Sequence, residues 1–200
     1  MLRLKPLLIV VMFSLSGFNL HDSKRAVTRW VISKGCSLHV GGSTNVNTFT
    51  CVIADYYKPD TLVFYKGNPP EVIKITGILK LNVQNFDCHN PVMTSDLRKT
   101  LKSKIHPNLS IQFINLSKYP DNHQETTLKG AVNIELAGVT KRFEVDYRFL
   151  PNGANAATLI GTRKINFSDF DLVPPRKLGG MIKTNDELRV VFNLNVKVLR

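Results

Sequence analysis

The sequence predicts an all-β protein, an eight-stranded antiparallel β-barrel with one accessory α-helix. Most of the chain alternates apolar and polar residues with a period of two, which places successive side chains on opposite faces of a strand. The connections between these segments are of hairpin length, and this favours antiparallel pairing. Closure into a barrel removes the exposed sheet edges and leaves room inside for a small apolar ligand.

The last strand, residues 188–198, shows the alternation most clearly, because apolar side chains occupy every second position. Residues 141–149 alternate almost as cleanly, with aromatic and valine side chains on one face and charged side chains on the other. Apolar runs bounded by glycine, proline or asparagine predict the remaining strands. The predicted strands are residues 30–40 with a kink at Lys34-Gly35, 44–54, 71–83 with a bulge at Gly77, 109–116, 127–136, 141–149, 157–167 and 188–198, with 61–65 a short further candidate.

One stretch has the period of a helix instead. Its apolar residues recur every four positions and are Met93, Leu97, Leu101 and Ile105. Basic residues cover the other side, Thr94 or Ser95 is predicted to cap the first turn, and Pro107 ends the helix. A helix lying on a membrane surface would need more length and more aromatic residues. The apolar stripe is therefore predicted to face the core.

A proline-broken connection precedes the last strand. Residues 168–187 contain two adjacent prolines and two adjacent glycines, which exclude a regular strand or helix. The connection is nevertheless rich in apolar residues and should pack against the protein. Two interpretations remain open, a lid that closes the barrel and a rigid corner that packs Phe170 and Leu172 against it.

The chain is strongly basic, with 27 Lys and Arg against 15 Asp and Glu, a net charge of +12. This charge favours an anionic partner, which could be nucleic acid, a membrane surface or a ligand with a phosphate head. Nucleic acid is not expected, because there is no RNP-type motif and the aromatic residues alternate onto apolar faces. An anionic head group or membrane surface remains, with a merely solvated basic surface as the alternative.

Residues 1–20 are predicted to be a cleaved export signal. Arg3 and Lys5 precede a short apolar run that ends in small residues. The run is shorter than the roughly 20 apolar residues that span a bilayer. An uncleaved membrane tether is the alternative. Export leaves one predicted domain, residues 27–200, in the periplasm or outside the cell.

Several short motifs resemble the YceI-like family of secreted lipid-binding proteins. They are TNVN-x-F-x-C at residues 44–51, FDCHN at 86–90, His106-Pro107, Gly138-Val139-Thr140, and SDF followed by paired prolines and paired glycines at 168–180. The resemblance implies a lipocalin-like barrel with a helix beside it. It also implies an elongated apolar cavity for a polyisoprenoid chain, such as an isoprenoid quinone or a prenyl phosphate. The family is typically periplasmic or secreted and has no established catalytic centre.

A ligand inside such a barrel would contact the inward-facing side chains of the strands. Each buried ligand methylene would contribute ~0.8 kcal/mol to binding. The candidate lining residues are Phe49, Leu79, Leu81, Phe113, Ile134, Phe143, Val145, Tyr147, Leu188, Val190 and Phe192. Asn45, Asn47 and Asp169 are candidate polar residues at the rim, which either bond to nearby backbone or contact a ligand head group. No cofactor is expected beyond a bound isoprenoid lipid.

The chain has three cysteines, and in an oxidising compartment two of them can pair. Cys51 and Cys88 each follow a phenylalanine by two positions and are predicted to form a disulfide. Cys36 would then keep a free thiol. Three free thiols are the alternative. No metal site is expected, because Cys88 and His89 are neighbours whose side chains point apart and no CxxC or HxxxH spacing is present.

The sequence predicts a lipid carrier rather than an enzyme. It contains no GxSxG motif and places no nucleophile, base and oxyanion donor together. Two alternatives remain. An exported enzyme on a lipid-like substrate would require titratable groups inside the cavity. A structural or stress-response barrel would be favoured by a cavity too small for an acyl or prenyl chain. The oligomeric state is not predicted.

Overall fold

A computed structural model describes residues 27–56, 58–65, 72–121 and 123–199. The predicted export signal lies outside these residues. The described chain contains thirteen strands, one α-helix and three short 3₁₀ turns. The strands and the helix are β1 Val27–Ile32, β2 Cys36–Thr44, β3 Thr48–Tyr56, β4 Thr61–Tyr65, β5 Ile73–Thr76, β6 Ile78–Asn82, α1 Pro91–Thr100, β7 Asn108–Phe113, β8 Asn115–Leu116, β9 Thr126–Leu136, β10 Val139–Pro151, β11 Ala156–Asn166, β12 Arg176–Lys177 and β13 Ile182–Leu199.

The strands form a curled antiparallel sheet that closes on itself at one end. Its hydrogen-bonded order runs β6-β7-β9-β10-β11-β13-β1-β4-β5-β8. Hydrogen bonds on either side of β8 also join it to β9 and so close the sheet. The Ile114 N–H donates to the Ala131 carbonyl at 3.0 Å, and the Ser117 N–H donates to the Lys129 carbonyl at 2.7 Å. At the other end, the first half of β13 pairs with β2, and β2 pairs with β3. The prediction of an all-β antiparallel barrel with one helix is confirmed.

The described part of the chain has thirteen strands rather than eight. Three long predicted strands are each broken in two, and the short strands β4 and β12 add two more. The predicted strand 30–40 is divided into β1 and β2 at Gly35, whose positive φ of 80° suits only glycine well. The predicted strand 71–83 divides into β5 and β6 at Gly77, where a Cβ atom would lie 2.5 Å from the Leu62 side chain. The predicted strand 109–116 divides at Ile114.

The helix begins a turn earlier than predicted, and the predicted cap at Thr94 or Ser95 is wrong. Asn90 is the N-cap, because its side-chain oxygen accepts the Met93 N–H at 3.0 Å. Pro91 occupies the first helical position, where its missing N–H costs nothing. The Thr94 hydroxyl instead accepts the Cys88 N–H at 2.9 Å and so ties α1 to the chain that precedes it.

The apolar stripe of the helix faces the core only in part. Leu97 and Leu101 are buried, whereas the Ile105 side chain is 76% exposed. The regular helix ends at Thr100, and Lys102 adopts a positive φ of 52° that turns the chain away from the helix axis. The prediction that Ile105 faces the core is therefore wrong.

The barrel interior is filled by side chains rather than open. At the closed end, the Trp30 ring packs against Phe64 and Phe149, with centroids 4.3 and 5.3 Å apart. Farther along, Phe192 packs edge to face against Phe113 and Tyr147. These rings are all buried. These rings leave little space for a ligand in this part of the barrel.

The connection before the last strand has two parts. Phe170 and Leu172 are buried, and the Phe170 ring lies 5.8 Å from that of Phe143, so this part is a packed corner. Residues 173–183, here called the flap, then leave the barrel as a short exposed hairpin in which β12 pairs with the first residues of β13. In the described residues, no helix has the length and apolar character needed to cross a membrane.

Candidate ligand-binding site

A cavity of about 270 Å³ lies between the β2–β3 hairpin, α1 and the flap. It is open to solvent on one side, and its exposed wall is mainly apolar. Its lining residues are Thr44, Val46, Asn47, Phe49, Cys51, Asn90, Val92, Met93, Asp96, Leu97, Phe167, Pro175, Lys177, Ile182 and Thr184. We call this space the outer cavity.

Asn45 fixes the flap to the β2–β3 hairpin. Its side-chain amide donates to the Met181 carbonyl at 2.9 Å and accepts the Lys183 N–H at 2.9 Å. The Asn45 backbone N–H also donates to the Lys183 carbonyl at 3.1 Å. A side chain that satisfies both a donor and an acceptor of another segment holds that segment in register. Asn45 therefore holds the flap beside the hairpin, although it does not itself line the outer cavity.

Asn47 and Asp169 also bond within the protein. The Asn47 side-chain oxygen accepts from the Thr44 hydroxyl at 2.7 Å, which stabilises the hairpin turn beside the outer cavity. Asp169 accepts the Asn166 N–H at 2.7 Å and caps the corner that follows β11. Of these two side chains, only that of Asn47 lines the outer cavity.

A salt bridge joins the flap to α1 in the wall of the outer cavity. Lys177 of the flap pairs with Asp96 of α1, and both side chains contribute to the cavity wall. Because the two charges compensate each other, the wall carries little net charge at this point. Asp96 is mostly buried and Lys177 is partly exposed, so the ammonium group lies nearer to the solvent opening.

The Cys51–Cys88 disulfide lies beside the outer cavity. It joins β3 to the segment before α1, and Cys51 lines the cavity. Two backbone hydrogen bonds between Val52 and Asp87, of 2.7 and 2.9 Å, run beside it. The disulfide and this bridge hold the beginning of α1 against β3.

A second, smaller cavity of about 50 Å³ lies inside the barrel. Its wall is entirely apolar and comes from β2, the helix region, β7, β9, β11 and β13. Leu97 lines both this inner cavity and the outer one. The Leu97 side chain therefore separates the two spaces.

The candidate lining residues fall into three groups. Phe49 lines the outer cavity, and Ile134, Leu188 and Val190 line the inner one. The remaining candidates are buried in the core and line neither cavity; they are Leu79, Leu81, Phe113, Phe143, Val145, Tyr147 and Phe192. The Tyr147 hydroxyl has no hydrogen-bond partner among the described residues, and burial raises the pKa of this phenol far above its ordinary value.

Most residues of the outer cavity were not predicted from the sequence. The missed residues include Val46, Val92, Met93, Lys177 and Ile182. The only feature of the sequence that could have indicated them is their place in the chain, since they lie within or next to the motifs at residues 44–51, 86–90 and 168–180. Among the described residues, no three His, Cys, Asp or Glu side chains gather in a group that could hold a metal ion.

Phe49 lies over a glycine, and this contact predicts the effect of a Gly42→Ala substitution. A Cβ atom at Gly42 would lie 2.4 Å from the Phe49 ring and 2.9 Å from Leu188. The ring must then move, so we expect the free energy of unfolding to fall by about 1–3 kcal/mol. Urea denaturation measures this loss. Gly41→Ala is the matched control, because its Cβ would have no neighbour nearer than 3.9 Å. Equal stability of the two variants would contradict the packing described.

Cys36 is predicted to resist thiol reagents in the folded protein. Its thiol is buried, donates to the Ser33 carbonyl at 3.1 Å and accepts the Asn195 N–H at 3.2 Å. Burial raises the pKa of the Cys36 thiol, an effect that the backbone hydrogen bond from Asn195 offsets only in part. Alkylation followed by mass spectrometry should modify no cysteine of the described residues in the native protein. It should modify one after denaturation and three after denaturation with reductant; three without reductant would refute the disulfide.

Comparison with solved structures supports the fold. A polyisoprenoid binding domain from Saccharophagus degradans, implicated in plant cell wall breakdown, matches with a TM-score of 0.60 and 9% identity over 85% of this chain and 98% of that domain. BcnA from Burkholderia cenocepacia matches with a TM-score of 0.55 and 14% identity over 82% and 96%. The chain has the YceI-like fold.

A weaker likeness is to the YCEI protein of Campylobacter jejuni, with a TM-score of 0.45 and 16% identity over 70% of this chain and 81% of that protein. No family model and no curated protein matches the chain. At 14% and 9% identity, the two structures with the higher TM-scores show the fold alone.

Proposed function

We propose that the chain is an exported lipid-binding protein that holds the end of an isoprenoid-type ligand in the outer cavity. The observation that carries this proposal is a solvent-open cavity of about 270 Å³ with a mainly apolar wall. Apolar pockets with a few polar groups are typical small-molecule sites. The polyisoprenoid-binding domain with the same fold supports the ligand class.

The volume of the outer cavity limits the length of the ligand. An apolar cavity of about 150 Å³ holds benzene, so 270 Å³ accommodates about ten carbon atoms, or roughly two isoprene units. The inner cavity of about 50 Å³ adds little and lies behind Leu97. A longer chain would have to displace Leu97 or extend out of the opening.

The polar groups of the cavity suggest how a head group is held. The Lys177 ammonium, nearer to the opening than Asp96, can donate to a quinone carbonyl or bind a phosphate oxygen. Either head group would compete with Asp96 for the ammonium group. We expect a quinone or a prenyl phosphate to bind with its chain inward and its head near Lys177.

Binding without catalysis is part of the proposal. The two charged groups on the outer wall, Asp96 and Lys177, are paired with each other, and no nucleophile and base are brought together there. Export to the periplasm or beyond is supported by the disulfide, since disulfides persist in oxidising compartments.

One observation favours a second candidate, a structural barrel without a ligand. The barrel interior is filled by aromatic rings and retains a cavity of only about 50 Å³. That space is too small for a prenyl chain. The structural interpretation therefore predicts that the outer cavity is a surface groove without a ligand of its own.

Filling the outer cavity separates the two candidates. Thr184 lines this cavity on β13, and a Thr184→Trp substitution would occupy much of it. We expect the wild-type protein to bind a two-isoprene quinone or prenyl diphosphate in isothermal titration calorimetry, with a negative heat-capacity change. Thr184→Trp should weaken this binding at least about tenfold.

Thr140→Trp is the matched control, because Thr140 is exposed on β10 and lines neither cavity. It should bind like the wild type. If the wild-type protein binds neither ligand, the carrier proposal falls and the structural candidate remains. Equal binding by Thr184→Trp and the wild type would place the ligand elsewhere.

A further inference from the structure

Four large apolar side chains stand exposed around the opening of the outer cavity. Val46 is 66% exposed and Val92 is 61% exposed, and both line the cavity. Leu178 and Met181, at the tip of the flap, are 69% and 75% exposed. The Asn45 contacts hold the tip beside the hairpin that carries Val46. An exposed apolar patch beside a cavity is typical of a surface that binds a protein, a membrane or a ligand.

Leu178 occupies its position against its own conformational preference. Its φ is +49°, in the left-handed region where glycine and asparagine are favoured and other residues are strained. The side chain is exposed, so core packing does not compensate for this strain. Leucine at this turn is therefore explained by neither folding nor local geometry, and a contact outside the chain would explain it.

The same flap carries two cations directly opposite each other. Arg176 and Lys183 are cross-strand partners in the β12–β13 pair, and both are exposed. Neither has a salt bridge to a described acidic residue. Like charges at directly opposed positions destabilise a β-pair. An anion bound between Arg176 and Lys183 would remove this repulsion.

We propose that the flap docks on an anionic lipid bilayer. Leu178 and Met181 enter the boundary between head groups and acyl chains, while Arg176 and Lys183 bind lipid phosphates. Apolar side chains combined with nearby cations are the chemistry of binding at a membrane interface. The net charge of +12, of which only Arg3 and Lys5 lie in the predicted export signal, attracts the whole chain to such a surface.

Docking in this orientation would place the opening of the outer cavity against the membrane. Val46 and Val92 lie at the edge of that opening, so an apolar ligand could move between bilayer and cavity with little exposure to water. This use of the surface rests on the proposed function, whereas the docking itself depends only on the flap. The two can therefore fail separately.

Vesicle flotation tests the docking. The folded exported chain, without the predicted signal at residues 1–20, is mixed with vesicles of phosphatidylcholine alone or of phosphatidylcholine with phosphatidylglycerol. We expect it to float with the anionic vesicles, and less so at high salt. Leu178→Asn with Met181→Ser should lower the partition coefficient at least about tenfold, by loss of apolar burial. Arg176→Gln with Lys183→Gln should lower it about thirtyfold, as two surface cations are lost.

Two controls match these variants. Lys58→Gln with Lys74→Gln removes the same charge from exposed lysines outside the flap, and should weaken flotation much less than the change in the flap. Ile105→Ser removes the exposed apolar side chain after α1 and should leave flotation unchanged. Leu178→Asn suits the left-handed turn, so its melting temperature should not fall below that of the wild type.

Flotation lost by both flap variants and kept by both controls supports the docking surface. Flotation that Ile105→Ser abolishes, or that the flap variants keep, overturns it, as does a wild-type chain that does not float. Thr184→Trp should still float because it leaves Arg176, Leu178, Met181 and Lys183 unchanged. Flotation without ligand binding would defeat the proposed function alone, and ligand binding without flotation would defeat the docking alone.

Discussion

Removal of the Cys51–Cys88 disulfide by Cys51→Ala and Cys88→Ala is expected to lower the free energy of unfolding by about 3–4 kcal/mol. The bond closes a loop between residues 37 positions apart in the sequence, and its loss raises the conformational entropy of the unfolded chain. The variant should also bind ligand more weakly, because the bond holds the beginning of α1, which lines the outer cavity, against β3. Urea denaturation and calorimetric titration measure the two effects.

Reductant provides the control for this prediction. Under reducing conditions the wild-type protein should lose a similar free energy of unfolding, whereas the double variant should show no response. A double variant with the wild-type denaturation midpoint would contradict the stabilising role of the bond. Lower stability with unchanged ligand affinity would show that the outer cavity does not depend on the bond.

Leu97→Ala is expected to lower the free energy of unfolding by about 2–5 kcal/mol, since a buried leucine is truncated. Its second effect is specific to this position. Because Leu97 lines both cavities, its truncation should join them into one channel that reaches the barrel interior. We expect the variant to favour longer prenyl chains over the two-isoprene ligand, measured as the ratio of their dissociation constants.

Leu101→Ala is the matched control for Leu97→Ala. Leu101 is equally buried and lines the inner cavity but not the outer one. It should show a similar loss of stability with no change in preferred chain length. If both variants show the same length preference, Leu97 does not separate the two spaces.

The barrel could be predicted from the sequence because a period of two reports directly which side of a strand is buried. In β13, Leu188, Phe192, Leu194, Val196 and Val198 are buried as the alternation indicates. The breaks at Gly35 and Gly77 were also visible, since a glycine inside a strand pattern signals a kink or bulge. The start of the helix was missed because the Asn90 cap and Pro91 outweigh the later Thr94 and Ser95.

The interior volume could not be predicted, because alternation shows direction but not how space is filled. A Cβ atom at Gly161 would lie 2.2 Å from the Phe192 ring, which occupies the space that the glycine leaves. Phe49 occupies the space at Gly42 in the same way. Large rings over small partners fill the barrel, so residues predicted to line a cavity instead form a packed core.

The outer cavity could not be predicted from the sequence for a different reason. Its wall combines the β2–β3 turn, α1 and the flap, which are far apart in sequence. Val46, Val92 and Lys177 lie on the side of each element that faces away from the main core. Periodicity treats such positions as solvent-facing, and only the tertiary arrangement shows that they face one another.

Native mass spectrometry of the protein purified from its own host, with extraction of any bound lipid, tests the outer cavity most directly. The predicted result is a bound apolar molecule of isoprenoid type on the wild-type chain and on Thr140→Trp, and its absence from Thr184→Trp. A wild-type protein that carries no lipid and takes up neither added quinone nor added prenyl phosphate would contradict the site. So would a lipid retained in full by Thr184→Trp.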